Sequence, residues 1–428
     1  MTNQFMNHVC RVGDIRYESD EPPEQSDRIR PMLEPWLSAI LQSEHLSLLV
    51  GNGLTTAATF LAGGEAPSMA SELTISDEAL NTIFNSEVIE SAEKLGRGSP
   101  NIEDFLRIAI SLEAGLRIAG DSRADLVSQA IQASLSQLIS SILLAESTIR
   151  GGEFPKEDSV TDLTPVGYLV SLLLTFASRT PNRDRLHLFT TNYDRVIEFT
   201  CEVSGIRIID RFIGTLNPRF RASRMDIDLH YNPPGVRGEP RFLEGVVRVT
   251  KLHGSVDWKF DDVGIVRVPI EFGSQVEPDS ESVLIYPSAA KDQETSYYPY
   301  AELFRDFSAA VCRPNSVVVT YGYGFGDDHI NRILADMLTI PSTHVLVISY
   351  DDAGGKVERF LKSHGNSSQI SLLIGPHFAD LQTLVDNYLP KPAIDDITWR
   401  RAALIRNRAA PGGNDSATEP EVDVDHTV

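Results

Sequence analysis

Cysteine is scarce in this chain. Its 428 residues hold three, Cys10, Cys201 and Cys312, and no two stand close enough in sequence to form a CxxC pair. That spacing excludes a clustered zinc module and a disulfide framework, and it suits a reducing, cytoplasmic setting. Basic residues are also short: 38 Lys and Arg face 60 Asp and Glu, for a formal charge of -22. A broad grip on nucleic acid needs clustered cations, so none is expected, although a local basic groove stays open. No apolar run approaches the ~18 residues of a membrane span. Met1–Gly13 lacks the apolar core of a secretory leader. No metal site, no membrane association and a cytoplasmic location are therefore expected.

What the chain does have is core-forming material. Hydrophobic residues make up 42% and charged residues 23%, a balance that supports a large packed core. Residues 1–29 read as a flexible N-terminal arm, because 14–28 are acidic, polar and proline-containing. Leu33, Trp36, Leu37, Ile40 and Leu41 then follow helical spacing. Leu46–Val50 is a short apolar run stopped by Gly51-Asn52-Gly53, the pattern of a buried strand turning into a helix. Residues 78–150 are mostly helical in pattern and read as an inserted subdomain, with the strongest stretches at Ile102–Leu116 and Asp125–Glu146. Thr164-Pro165 starts another helix, as N-cap and first helical residue. From Val317 onward strands and helices alternate: Val317–Tyr321, Asp328–Leu338, Val345–Tyr350, Gly355–Ser363, Ile370–Ile374 and Phe378–Tyr388. Repeated βα units predict a doubly wound, parallel, Rossmann-like α/β sheet spanning 30–390. Residues 391–408 are expected to form a C-terminal helix. Residues 409–428, with five acidic groups and no Lys or Arg, are expected to be a disordered tail.

Four motifs could carry chemistry, and each sits where a strand ends. Gly51-Asn52-Gly53-Leu54-Thr55 could present backbone amides to a phosphate at a helix N-terminus. A dehydrogenase fingerprint would need glycine at position 56, which is Thr56, so the turn could equally be a bare β-to-α connection. Thr190-Thr191-Asn192-Tyr193-Asp194 places an amide and a carboxylate just past a strand, where α/β sheets hold ligands; either side chain could instead cap the next helix. His253-Gly254 offers an imidazole able to serve as a general base, or simply a structural histidine. Gly322-Tyr323-Gly324-Phe325-Gly326-Asp327-Asp328-His329 is a second glycine-rich turn. Its two aspartates and histidine could ligate a metal, but consecutive side chains diverge, and Asp327 and Asp328 suit a helix cap and first turn.

The order of these motifs resembles the sirtuin superfamily: a glycine turn, an Asn and Asp after a strand, His-Gly, then a late glycine loop. Here the sirtuin glycine turn has Asn52 in place of alanine, and the Asn-Asp motif has Thr191 in place of glutamine. The paired-cysteine zinc module of deacylating sirtuins and the usual substrate loop after His-Gly are missing. The helical segment and the phrase Gly322–Asn331 resemble bacterial sirtuin-like effectors of anti-phage defence, which hydrolyse NAD⁺. The resemblance implies NAD⁺ as substrate, Asn192, Asp194 and His253 as catalytic residues, and Gly51, Asn52, Gly53, Thr55, Thr191, Gly322, Tyr323 and Gly324 as cofactor-binding residues. It also implies a large homo-oligomer whose activity is gated by a HerA-type hexameric ATPase. Protein-lysine deacylation, or nucleotide sensing without turnover, are the alternatives.

Overall fold

Leu46–Val50 is apolar except at Ser47, and a strand with both faces covered carries such a run. In a computed structural model it lies in the middle of a nine-stranded sheet. The structure describes residues 6–23, 29–66, 72–94, 100–152, 163–180, 182–223, 227–231, 241–274, 283–285, 298–364 and 367–390. In chain order the strands are β1 (His8–Val12), β2 (Ile15–Ser19), β3 (His45–Val50), β4 (His187–Thr190), β5 (Arg207–Ile209), β6 (Phe212–Ile213), β7 (Arg219–Phe220), β8 (His230–Tyr231), β9 (Arg241–Phe242), β10 (Val246–Lys251), β11 (Gly254–Asp261), β12 (Gly264–Arg267), β13 (Val283–Ile285), β14 (Ser316–Tyr321), β15 (His344–Ser349) and β16 (Ile370–Ile374). The helices are α1 (Ile29–Leu41), α2 (Asn52–Leu61), α3 (Glu78–Lys94), α4 (Ile102–Ala119), α5 (Ala124–Gly151), α6 (Pro165–Ala177), α7 (Val196–Ser204), α8 (Tyr300–Val311), α9 (Asp328–Leu338), α10 (Lys356–His364), α11 (Pro376–Ala379) and α12 (Leu381–Asn387).

The large sheet runs β2-β1-β16-β15-β14-β3-β4-β10-β5. The stretch from β16 to β5 is parallel throughout. Alternate side chains feed two cores, as helices on both faces require. Leu46, Leu48 and Val50 of β3 pack with α1, α2, α6 and α7, while Leu49 packs with α8, α9 and α10. From β3 the chain moves to β4 on one side and later returns to β14 on the other. The carboxyl ends of β3 and β14 therefore flank the point where the winding reverses, the usual ligand crevice of an open α/β sheet.

Two expectations are corrected here. The segment 1–29 is not a flexible arm throughout: β1 and β2 form a hairpin, and β1 adds antiparallel to β16. Val9, Cys10 and Val12 are buried by this pairing, and Gly13 turns the hairpin with a φ of +52°. β2 is the outermost strand, half exposed along its length. Edge strands carry charge, so its composition mimicked that of a loop. The large sheet is accordingly mixed at that edge rather than wholly parallel. A second, antiparallel sheet, β13-β11-β12-β7-β6, draws its strands from both sides of His253 in sequence and was not anticipated. The segment expected to be a C-terminal helix (391–408) and the acidic tail (409–428) lie outside the described residues.

The helical segment has a core of its own. Phe84, Val88, Ile102, Phe105, Leu106, Val127, Ile131 and Leu135 close on one another across α3, α4 and α5. Asn101 and Asp104 begin α4 with a reciprocal capping box, which satisfies two otherwise orphaned backbone donors. Among the described residues α5 is the one helix long and apolar enough to cross a membrane by composition. Its second half buries Leu138, Ile139, Ile142 and Leu143 against Tyr193 and Val256, the packing of a core helix.

Candidate functional site

Five neighbouring strands, β15, β14, β3, β4 and β10, direct their carboxyl ends toward one cavity of about 250 Å³. β3 contributes Gly51 and Asn52, β4 contributes Thr191–Asp194, and β10 contributes His253. Gly322, Tyr323, Gly324, Gly326 and Asp327 come from beyond β14, and Lys356 from beyond β15. The helical segment closes the site with Asn101, Glu103, Leu138 and Ile142.

The two glycine turns interlock. Gly51 N donates to Tyr321 O at 3.0 Å and Gly53 N to Gly322 O at 3.0 Å. A Cβ on Gly51 would sit 2.5 Å from Gly322 O, and one on Gly322 would sit 2.5 Å from Gly53 Cα. Gly322 also has a φ of +61°, a conformation that side-chain-bearing residues seldom adopt. Gly324 differs: a Cβ there would meet nothing within 4 Å, so the backbone at that point leaves open space at the cavity. α2 begins at Asn52, with no side chain capping its N-terminus; the amides of Gly53 and Leu54 in its first turn are taken by Gly322 O and Gly51 O.

Asn192 is held rigidly. Its Nδ2 donates to Gly51 O at 3.1 Å and to Thr55 Oγ1 at 3.0 Å. Thr55 Oγ1 in turn donates to Asp194 Oδ2 at 2.6 Å, while Asp194 Oδ1 accepts the amide of Val196 at 3.1 Å. Thr55 is fully buried and does not line the cavity, and Gly53 packs on Gly322 rather than facing it. The sequence reading put both in the phosphate cradle; the structure places them behind its wall. Asp194 lines the cavity and accepts the amide of Val196, the first residue of α7.

His253 Nε2 lies 2.9 Å from Asp327 Oδ2. The other oxygen of Asp327 accepts the amides of His329 and Ile330, at 2.9 and 3.4 Å. Asp327 thus caps α9, as its position suggested, and no group of side chains suited to a metal ion occurs among the described residues. Tyr193 donates from its hydroxyl to Glu103 Oε1 at 3.3 Å. Burial, reinforced by Glu103, pushes the Tyr193 phenol well above its ordinary range, so it stays a neutral donor. Just beyond it, Arg195 gives its backbone amide (2.7 Å) and its guanidinium to the fully buried carboxylate of Glu146 on α5. The Asn192–Arg195 loop is therefore clamped to the helical segment at two points.

Sequence reasoning missed Asn101, Glu103, Lys356 and the partnership of Asp327 with His253. Lys356 could have been sought where β15 ends, by the strand-end rule that found the others. Nothing in the sequence near Asn101 points to the sheet; only the packing of α4 and α5 brings it there.

A comparison with known families covers the later three of the four motifs. No curated protein matches the chain. Residues 186–368 match the SIR2-like domain. That stretch contains Asn192, Asp194, His253, the second glycine loop and Lys356, whereas Gly51 and the helical segment precede it. The match, over somewhat less than half of the chain, supports a sirtuin-like family, and SIR2-like domains are commonly NAD-dependent enzymes.

Proposed function

We propose that the chain is an NAD⁺ glycohydrolase, converting NAD⁺ and water to nicotinamide, ADP-ribose and a proton. The observation that carries this reading is the convergence of Asn192 and His253 on one cavity that also receives both glycine turns. The nicotinamide leaves as a neutral ring from a pyridinium cation, so the departing group needs no proton, and the developing charge is oxocarbenium-like. What remains for the protein is to hold the ribose, stabilise that charge and supply water. Asn192, fixed by Gly51 and Thr55, positions the ribose or the attacking water. His253 takes the proton, and Asp194 faces the carboxamide. Gly51, Asn52 and Thr191 lie toward the phosphates, with Gly322, Tyr323 and Gly324 on the adenosine side. At about 250 Å³ the cavity is near the lower end of the ~300–1,000 Å³ range of ligand pockets. It suits one end of a dinucleotide, with the rest reaching along the glycine turns.

The biological role we propose is depletion of NAD⁺ during phage infection. The chain would act in the cytoplasm as a large homo-oligomer, gated by a HerA-type ATPase. The helical segment leaves Ile83, Ile89, Ile118 and Leu144 exposed, apolar contacts available to neighbouring subunits. Incubation of the purified chain with NAD⁺, alone and with the ATPase, tests the reading. Free nicotinamide and ADP-ribose support it; release of nicotinamide only with an acyl-lysine peptide would make the chain a deacylase. Light scattering tests the assembly, and a monomer at micromolar concentration would overturn it.

A further inference from the structure

His253 is 12% exposed through its side chain and Asp327 6%, and both line the cavity. The carboxylate of Asp327 cannot swing away. One oxygen is held by the His329 and Ile330 amides at the start of α9, and this leaves the second aimed at His253 Nε2 at 2.9 Å. An ionised carboxylate only accepts hydrogen bonds, so the nitrogen it faces carries the hydrogen. In the neutral ring that leaves the lone pair on Nδ1. Tyr193 and Phe304 are the ring's aromatic neighbours, with centroids 6.2 and 6.5 Å away.

We propose that Asp327 is the positioning residue of His253: the helix cap at the start of α9 selects the tautomer of the base that stands at the end of β10. This rests on the hydrolase reading for its catalytic consequence, but not for its structural one. It also links the two halves of the site. The second glycine loop, Gly322–Asp327, packs on the first through Gly51 and Gly53 and holds His253 through Asp327. A ligand that shifts that loop would therefore shift the base.

Two variants separate this role from simple helix capping. In Asp327→Asn the side-chain oxygen can still cap α9, but an NH₂ group now faces Nε2 and demands that it accept. In Asp327→Ser a good cap remains and the histidine partner is lost. The readout is ring ¹⁵N NMR of histidine-labelled protein at a pH where the ring is neutral, with the signal assigned by its loss in His253→Gln. We expect wild-type His253 to be the Nε2–H tautomer, Asp327→Asn to convert it to Nδ1–H, and Asp327→Ser to give a mixture. Both variants should keep their melting temperature within a few degrees. NAD⁺ turnover should fall by ~10²-fold or more in kcat, with KM little changed, as misplacement of a base produces. A wild-type ring already in the Nδ1–H form, or a tautomer unmoved in Asp327→Asn, would overturn the proposal. A chain that cleaves no NAD⁺ would defeat the hydrolase reading, and the tautomer signal would still decide the positioning.

Discussion

At the scale of single residues, the site is an arrangement of held groups rather than free ones. Asn192 is tied to Gly51 and Thr55, and His253 to Asp327. Substituting Asn192→Ala or His253→Ala removes a positioned group without opening a large cavity in the core. Each should lower NAD⁺ cleavage by ~10²–10⁴-fold while the melting temperature holds. Near wild-type turnover in both, with folding intact, would remove the catalytic assignment. A different histidine bears on stability in acid. His187 opens β4, the strand that delivers Asn192. Burial pushes its pKa well below the usual ~6.5, helped by Arg248 and Arg313 and opposed by Asp184. Between the folded value and ~6.5, the unfolded chain binds a proton that the folded chain refuses. This contribution is complete above pH ~6.5 and is lost as the pH falls below it. The melting temperature should therefore decline from pH 7.5 to 5, and less steeply in His187→Gln. Equal slopes for the two proteins would show that other groups control acid stability.

At the scale of elements, the two glycine turns meet backbone to backbone. Gly322→Ala forces a left-handed residue to carry a side chain, at ~1–3 kcal/mol, and drives its Cβ to 2.5 Å from Gly53 Cα. Gly324→Ala meets no atom within 4 Å but narrows the cavity. The first should lose stability in a thermal melt. The second should melt like wild type and bind NAD⁺ more weakly by calorimetry. If Gly322→Ala melts normally, the interlock is not what joins β3 to β14 at this end. The helices α4 and α5 belong to the same logic. Their apolar spacing was legible in the sequence. That they would meet the Asn192–Arg195 loop, through Glu103 and Glu146, was not, because those contacts join residues far apart in the chain.

At the scale of the whole molecule, the sheet is finished at one edge by a hairpin. β1 covers the otherwise open side of β16 and buries Val9, Cys10 and Val12. Deleting residues 1–20 should expose that strand edge and its apolar patch, lowering the melting temperature and promoting aggregation. The candidate site is built on β15, β14, β3, β4 and β10, so turnover per folded molecule should survive. A truncated chain that melts like the intact one would show that the hairpin adds nothing to the core.

The sequence by itself determined the buried strands and the turns between them. Runs such as Leu46–Val50 and Val317–Tyr321 are long enough, apolar enough and sharply enough ended by glycine to dictate strand and turn locally. Because parallel strands expose their carboxyl ends together, it also placed Gly51, Asn192, His253 and Gly322 within reach of one crevice. Strand order was beyond it: nothing local says that β14 lies beside β3, or that β1 pairs with β16. Neither could local pattern show that Asp327 faces His253, that Thr55 lies behind the wall, or that Glu103 joins the site. Those relations arise when non-local packing brings distant segments together, and only the tertiary structure decided them.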